Sequence, residues 1–345
     1  MAQPCREKSG AEAAAVAIAA WLVVLGAFGT EAARSSPPKF QFRTNDVIAF
    51  VGGEDVVEMQ HNGYLELLLT AALPHHKLRF RNLAFEGDTV FEQHRQLNFP
   101  SWEKQLERVG ATVVIAQFGQ AESLQGTNGL GKFVEAYGKL LDRFTNGGRR
   151  VVLLAPTPFE KEPTSTMDLA ARNSDWFQYL TAIVGMASRR SDQFVGLKPI
   201  ASTTGVATRE TRDGLHLNRD GHWQFAERTI GQLGIQFKMG TVEISRYAHF
   251  TAESGIPPLH TSDWAFAKND ERLRQLILEK NRLWFDYWRP QNWAFLHGDR
   301  TEQPSSRDHR DPEKRWFPEE MEKFLPLIEA KEKEIWKLAE DLAPK

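Results

Sequence analysis

Several residues in this chain have types and spacings suited to chemistry at the end of a strand. In AFVGGEDVVEMQ, Ala49 to Gln60, an apolar run stops on Gly52-Gly53, and the acids Glu54 and Asp55 follow at once. A strand that ends this way presents its next side chain at the top of a sheet, where enzymes place a nucleophile. Here that side chain is the carboxylate of Glu54. A second pair, Asp213 and His216, lies in DGLHLNRDGH at a spacing that lets a carboxylate orient an imidazole from one turn. Two more polar turns are marked by glycine: Phe85-Glu86-Gly87 in NLAFEGDTV, and Phe118-Gly119-Gln120 in FGQAES.

Whether these groups meet depends on the elements between them. The strand candidates are Val47–Val51, Leu78–Asn82, Thr112–Gln117, Arg150–Leu154 and Phe194–Leu197, each bounded by Gly, Pro or polar turns. Helical patterns cover Gly63–Leu73, Trp102–Val109, Leu130–Phe144, Leu169–Arg190 and Asp220–Leu233. In the third of these, Leu130, Phe133, Val134, Tyr137, Leu140, Leu141 and Phe144 recur at helical spacing. Five β/α alternations in under two hundred residues predict a parallel sheet with helices on both faces. Such sheets place their sites at the carboxyl ends of the strands, so the three glycine-marked turns share one rim. The last helix is entered through DGLHLNRDGH, which brings Asp213 and His216 within reach of that rim.

Beyond residue 236 the composition changes. NDERLRQLILEKNRLWFDYWRP reads as one long helix ended by Pro290, and a charged loop leads to a final helix with Pro318 near its first turn and Phe324, Leu325, Ile328 and Ile335 facing inward. Six of the ten tryptophans lie in this extension, so it is expected to pack on the sheet domain rather than stand alone. Arg289 and Asn292, just after the helix stop, are candidates to reach the rim, as is Asp55 beside Glu54.

The first residues read as targeting rather than fold. Arg6 and Lys8 precede the apolar run AAAVAIAAWLVVLGAFG, with small residues up to Ala32, which is the layout of a signal peptide cleaved near residue 32. Cleavage would remove Cys5, the only cysteine, and implies export to a periplasmic or extracellular space with no membrane attachment afterwards. The expected organisation is a signal peptide over 1–32, a Ser/Pro-bearing linker over 33–45, the α/β domain over 46–235 and an α-helical extension over 236–345. With 43 basic and 45 acidic residues the chain has no basic excess, which argues against a nucleic-acid partner.

FVGGEDVV, NLAFEGDTV, FGQAES and DGLHLNRDGH, taken in order, resemble the four blocks of the SGNH (GDSL-type) hydrolases, over about Asp46 to Leu233. The resemblance implies a flavodoxin-like three-layer α/β/α sandwich with a parallel sheet and an esterase that needs neither cofactor nor metal. It also implies a small-molecule or carbohydrate ester as substrate, for example O-acyl groups of extracellular carbohydrates. In that family block one reads Gly-Asp-Ser and carries the nucleophile, a block-two glycine and a block-three asparagine bind the oxyanion, and the last block supplies an acid and a base. Carried over, Gly87 matches the block-two glycine, and Asp213 and His216 match the acid and base. Gly53-Glu54 stands where Asp-Ser is expected, and Ala121 where asparagine is expected. Gln120 beside it offers a side-chain amide, so the oxyanion set is Gly53, Gly87 and Gln120. A glutamate is a poor nucleophile toward an ester. The departure leaves three readings: a water activated by His216 in place of the serine, an acid–base pair of Glu54 and His216, or a catalytically silent binding or scaffold domain.

Other residues favour plainer roles. His75-His76 sits in a helix-to-strand turn, and His222 is a structural position on a helix's opening turn rather than a metal ligand beside Asp213 and His216. Ser123 reads as a loop or capping hydroxyl. GTNGLGK lacks the spacing of a phosphate-binding loop.

Overall fold

The computed structural model describes residues 40–95, 97–162, 168–190, 194–196, 209–236 and 265–343. The expected signal peptide, 1–32, and most of the expected linker, 33–45, lie outside the described residues. Five strands form one all-parallel sheet: β1 (Val47–Gly52), β2 (Arg79–Asn82), β3 (Val113–Gln117), β4 (Arg150–Leu153) and β5 (Phe194–Gly196). Their order is β2-β1-β3-β4-β5, with Phe50 opposite Asn82 and Gly52 opposite Gln117. This is the flavodoxin-like doubly wound order, whose switch point lies between β1 and β3.

The central strands are short runs of Val, Ile and Ala because both of their faces are covered. Alternation along β1 sends Ile48 and Phe50 to one core and Ala49 and Val51 to the other. The first core is closed by α1 (Glu54–Asn62), α2 (Tyr64–Ala72) and, later in the chain, α7 (Arg219–Gln232). The second is closed by α3 (Trp102–Arg108), α5 (Leu130–Thr145) and α6 (Asn173–Arg189), with the short α4 (Gln120–Ser123) at the head of β3.

Helix α1 was not expected from the sequence, where helix begins only at Gly63. Two nine-residue helices meet at Gly63, whose φ of 70° makes it the end of one and the start of the next. The break resets the hydrophobic period, so neither piece is long enough to read clearly. The linker also ends earlier than expected: Phe40 and Phe42 are buried in the first core, their rings edge to face at 5.0 Å.

The extension comprises α8 (Lys268–Trp288), α9 (Trp316–Glu322) and α10 (Phe324–Leu342); its junction with the sheet domain, 237–264, lies outside the described residues. Helix α8 places Leu273 and Ile277 in the first core and Trp284, Tyr287 and Trp288 in the second, so it crosses the open side of β2. There the Trp284 Nε1–H donates to the carbonyl of Asn82 at 2.8 Å, and Trp336 Nε1–H to that of Leu78 at 3.0 Å. An edge strand is thereby shielded from pairing with another chain. The single last helix expected from sequence is two, split after Glu322, and Leu325 is exposed rather than inward. The buried face of α10 runs through Ile328, Glu332, Ile335 and Ala339, and its continuation backward passes through Phe324 and Met321, leaving Leu325 off the stripe.

Candidate active site

The rim is built from tight turns at the carboxyl ends of the strands. At Gly52 an added Cβ would lie 2.5 Å from the Gln117 carbonyl oxygen and 2.6 Å from Val56 Cγ2, so only glycine lets β1 pass this close to β3 before turning into α1. Gly53 caps α1 without a side-chain bond, and Glu54 and Asp55 occupy the first turn, where the helix dipole favours acids. The two acids diverge. Glu54 stays on the rim with its side chain about one-third exposed. Asp55, expected on the rim, is instead buried beneath it. It accepts from the Thr157 hydroxyl at 2.5 Å and from the Leu217 N–H at 3.1 Å, and so ties the block-one turn to the strand-four loop and the DGLH loop.

Burial pushes the Asp55 carboxyl above its ordinary range, against the opposing effects of its hydrogen bonds and of His216 and Arg212. Such a group stabilises the fold less as pH rises from the unfolded value through the folded one. Asp55→Asn keeps the Leu217 N–H bond through its amide oxygen, can donate its amide N–H to the Thr157 hydroxyl oxygen in place of the present bond, carries no charge, and is expected to match or exceed the native stability at neutral pH. Asp55→Ala strands the Leu217 N–H and is expected to cost about 1–3 kcal/mol. Thermal denaturation of the two variants near neutrality checks the ordering.

The structure brings Asp213 and His216 together: His216 Nδ1 lies 2.6 Å from Asp213 Oδ2, while Asp213 Oδ1 accepts from the N–H groups of Leu215 at 3.0 Å and His216 at 2.8 Å. Burial raises the Asp213 carboxyl, but these bonds outweigh it and hold the group below its ordinary value. The imidazole therefore keeps an ionised partner down to acid pH. The loop is rigid for stated reasons. Thr211 and Leu217 bridge, the Arg212 N–H bonds the His216 carbonyl at 2.9 Å, and Glu160 accepts from the N–H groups of Glu210 and Thr211. At Gly214, φ is 87° and a Cβ would sit 2.7 Å from the Glu160 carbonyl oxygen, so glycine is required.

Gly87 is exposed, with φ of 78°, and its N–H enters no backbone hydrogen bond among the described residues. The neighbouring Asp88 carbonyl approaches to 3.1 Å of where a Gly53 Cβ would be, so the first two turns touch. Gln120 is placed differently from the expectation. Its amide donates to the Leu215 carbonyl at 2.7 Å, which ties the block-three turn to the DGLH loop. Glu122 locks blocks two and three by accepting from Val90 N–H and Gly119 N–H, each at 2.8 Å. Ser123 is fully buried, and its hydroxyl donates to the Gln120 carbonyl at 2.6 Å.

Arg289 does reach the rim from the extension, where Nη2 meets Glu86 at 2.5 Å and the guanidinium lies over Phe85. Burial raises the Glu86 carboxyl, yet the Arg289 bond more than offsets it and leaves it lowered. Asn292 is exposed at the head of the turn Trp293–Phe295. His222 is buried, with Nε2 lacking a hydrogen-bond partner; burial, aided by Arg212, lowers its pKa to about 4. Among the described residues no group of three His, Cys, Asp or Glu is arranged to hold a metal, and no helix is long and apolar enough to cross a membrane.

The sequence reading missed Arg212. Its guanidinium stands 3.5 Å from Glu54 Oε1, 3.9 Å from Glu58 Oε1 and 3.8 Å from Asp213 Oδ2. A lone charge next to DGLH reads as solvated surface, and the two glutamates one helical turn apart were not read as helix. Glu122 was legible in principle, since it stands three residues after Gly119 in a capping-box position.

No protein-family model matches the sequence, and no curated protein matches it. Solved structures do. BT4096, a gut microbial diltiazem-metabolizing enzyme, superposes with a TM-score of 0.51 at 10% identity over 87% of this chain and 96% of that one. A catalytic mutant of Axe2, an acetylxylan esterase from Geobacillus stearothermophilus, gives a TM-score of 0.44 at 14% identity over 59% of this chain and 100% of that one. LAE5, an alpha/beta hydrolase enzyme from the metagenome of Lake Arreo, gives 0.40 at 15% over 56% and 97%. The likeness is one of fold: the chain is a flavodoxin-like α/β/α sandwich with a helical C-terminal extension.

Proposed function

We propose that this protein is an ester hydrolase that uses water, activated by His216, in place of a serine. The observation that carries the reading is the Asp213–His216 pair. With Nδ1 held by the carboxylate, Nε2 makes no hydrogen bond to the described protein, and the side chain is about one-third exposed. An imidazole oriented in this way is a general base for a water on the rim. Glu54 has a partner of its own in Arg212, 3.5 Å away. In the step itself, His216 Nε2 takes a proton from water as the water oxygen bonds to the ester carbonyl carbon. The carbonyl π electrons move onto oxygen, and the tetrahedral anion then collapses, expelling the alkoxide, which takes the proton back from His216. The products are an acid and an alcohol, with no covalent enzyme intermediate. The acetylxylan esterase among the solved structures makes a carbohydrate O-acyl ester a reasonable first substrate class, with export by a cleaved leader.

The test is chemical labelling alongside turnover. The wild-type protein should hydrolyse aryl acetates without a burst and without reacting with a fluorophosphonate probe. Glu54→Ser places a hydroxyl on the rim and is expected to gain labelling. A wild-type protein that labels covalently would show that a hydroxyl acts as nucleophile after all. A silent binding domain is the second reading, and the carboxylate of Glu54 in the nucleophile's place is what favours it. No turnover of any ester, with intact folding, would select it.

A further inference from the structure

Arg212 differs from most of the arginines paired around this domain, although Arg79 also stands 3.5 Å from its acid, Glu332, with its guanidinium over the Trp336 ring. Arg228 meets Glu210 at 2.5 Å, Arg150 meets Asp46 at 2.5 Å and Arg289 meets Glu86 at 2.5 Å, all ordinary or short charge-assisted bonds. Arg212 is ringed by three carboxylates, yet among the described residues the closest acceptor of its guanidinium is 3.5 Å away, longer than an N–H···O bond of normal strength. Its backbone, by contrast, is fixed: the N–H bonds the His216 carbonyl, and the preceding Thr211 is held through its N–H and hydroxyl by Glu160. The side chain is nearly half exposed. The rim therefore carries a cation on a rigid base whose five donors are oriented by acids but not saturated by them.

Its position gives that cation a use. It lies between Glu54, at the head of α1, and Asp213, the partner of His216. The side-chain donor expected from block three is missing, because Ala121 has no polar atom and the Gln120 amide donates to Leu215. We infer that Arg212 is a catalytic residue of the proposed hydrolysis: it donates to the tetrahedral oxyanion, and Glu54 holds it in place until that charge develops. This rests on the hydrolase reading. When the ester carbonyl oxygen becomes anionic, the guanidinium exchanges its long contact with Glu54 for a short charge-assisted bond to the new anion. The ground-state carbonyl, being neutral, does not displace the carboxylate. The interaction is thus stronger in the transition state than before it, which is the condition for raising kcat rather than lowering KM. Glu54 acquires a role that answers why an acid stands in the nucleophile's place: it is the counter-ion of the oxyanion donor.

Binding of a tetrahedral anion separates this from the hydrolase reading. Phenyl methylphosphonate serves as the anionic probe and phenylacetamide as a neutral carbonyl probe, with affinities measured by calorimetry. Arg212→Met should weaken the phosphonate at least tenfold and leave the amide unchanged, with kcat for an aryl acetate falling about a hundredfold at similar KM. Arg212→Lys should recover part of both. Glu54→Gln, which removes the competing carboxylate, should tighten the phosphonate severalfold, and it keeps the inference testable if Arg212→Met fails to fold. Phosphonate affinity that is absent in the wild type, unchanged in Arg212→Met, or not increased in Glu54→Gln overturns the inference. Aryl acetate turnover that is equal in wild type and His216→Ala instead overturns the hydrolase reading, whatever the phosphonate does.

Discussion

Replacing Lys280 with methionine is expected to destabilise the protein by about 3–5 kcal/mol, the largest stability effect of any single substitution considered. Lys280 on α8 and Glu66 on α2 form an ion pair at 2.7 Å with both side chains buried, and Lys280 Nζ also donates to Asn281 Oδ1 at 2.6 Å. Burial pushes the Glu66 carboxyl up and the Lys280 ammonium down, and the partners oppose those shifts. Without Lys280, Glu66 would be a buried carboxylate with no counter-ion. Its folded pKa then lies still higher above the unfolded value, so the penalty is present at neutral pH and shrinks as pH falls through the folded pKa. The double variant Glu66→Leu, Lys280→Met removes both charges and is expected to recover most of the loss, since an apolar pair of similar volume replaces the ions. Urea denaturation at neutral and mildly acid pH distinguishes these cases. A single variant within 1 kcal/mol of wild type would mean that the pair does not join the extension to the core as described.

That junction shows what could be read from sequence. All five strands were legible, because a buried parallel strand is a short run of Val, Ile, Leu and Ala between turn residues, and β1 and β3 fit that description. The long helix of the extension was legible from its spacing and from Pro290. What it packs against was not: only the fold reveals that Glu66, over two hundred residues earlier, lies opposite Lys280. The same limit applied on the rim. Asp213 and His216 are three residues apart, so local spacing was enough to pair them. Arg212 and Glu54, and Asp55 and Thr157, are paired only by the sheet topology. Gln120 was assigned to the oxyanion by its neighbourhood in sequence, whereas the Leu215 carbonyl that accepts its bond lies 95 residues further along the chain. Leu325 was placed inward by its type, and the three-dimensional stripe of α10 excluded it.

The second large effect concerns chemistry. His216→Ala is expected to lower the rate of ester hydrolysis by about 10²–10⁴-fold, the range for loss of a positioned general base. The melting temperature should change little, because the side chain is partly exposed and its one hydrogen bond is to the half-exposed Asp213. The Asp213 carboxyl is held below its ordinary value, so it remains ionised, and the pairing persists, until the pH falls through that lowered value. Steady-state turnover of 4-nitrophenyl acetate by the wild-type protein and by His216→Ala, both confirmed folded, measures the rate loss directly. A wild-type rate above that of buffer, with a loss of at least a hundredfold in the variant, is the expected result. Equal rates in the two proteins would contradict it.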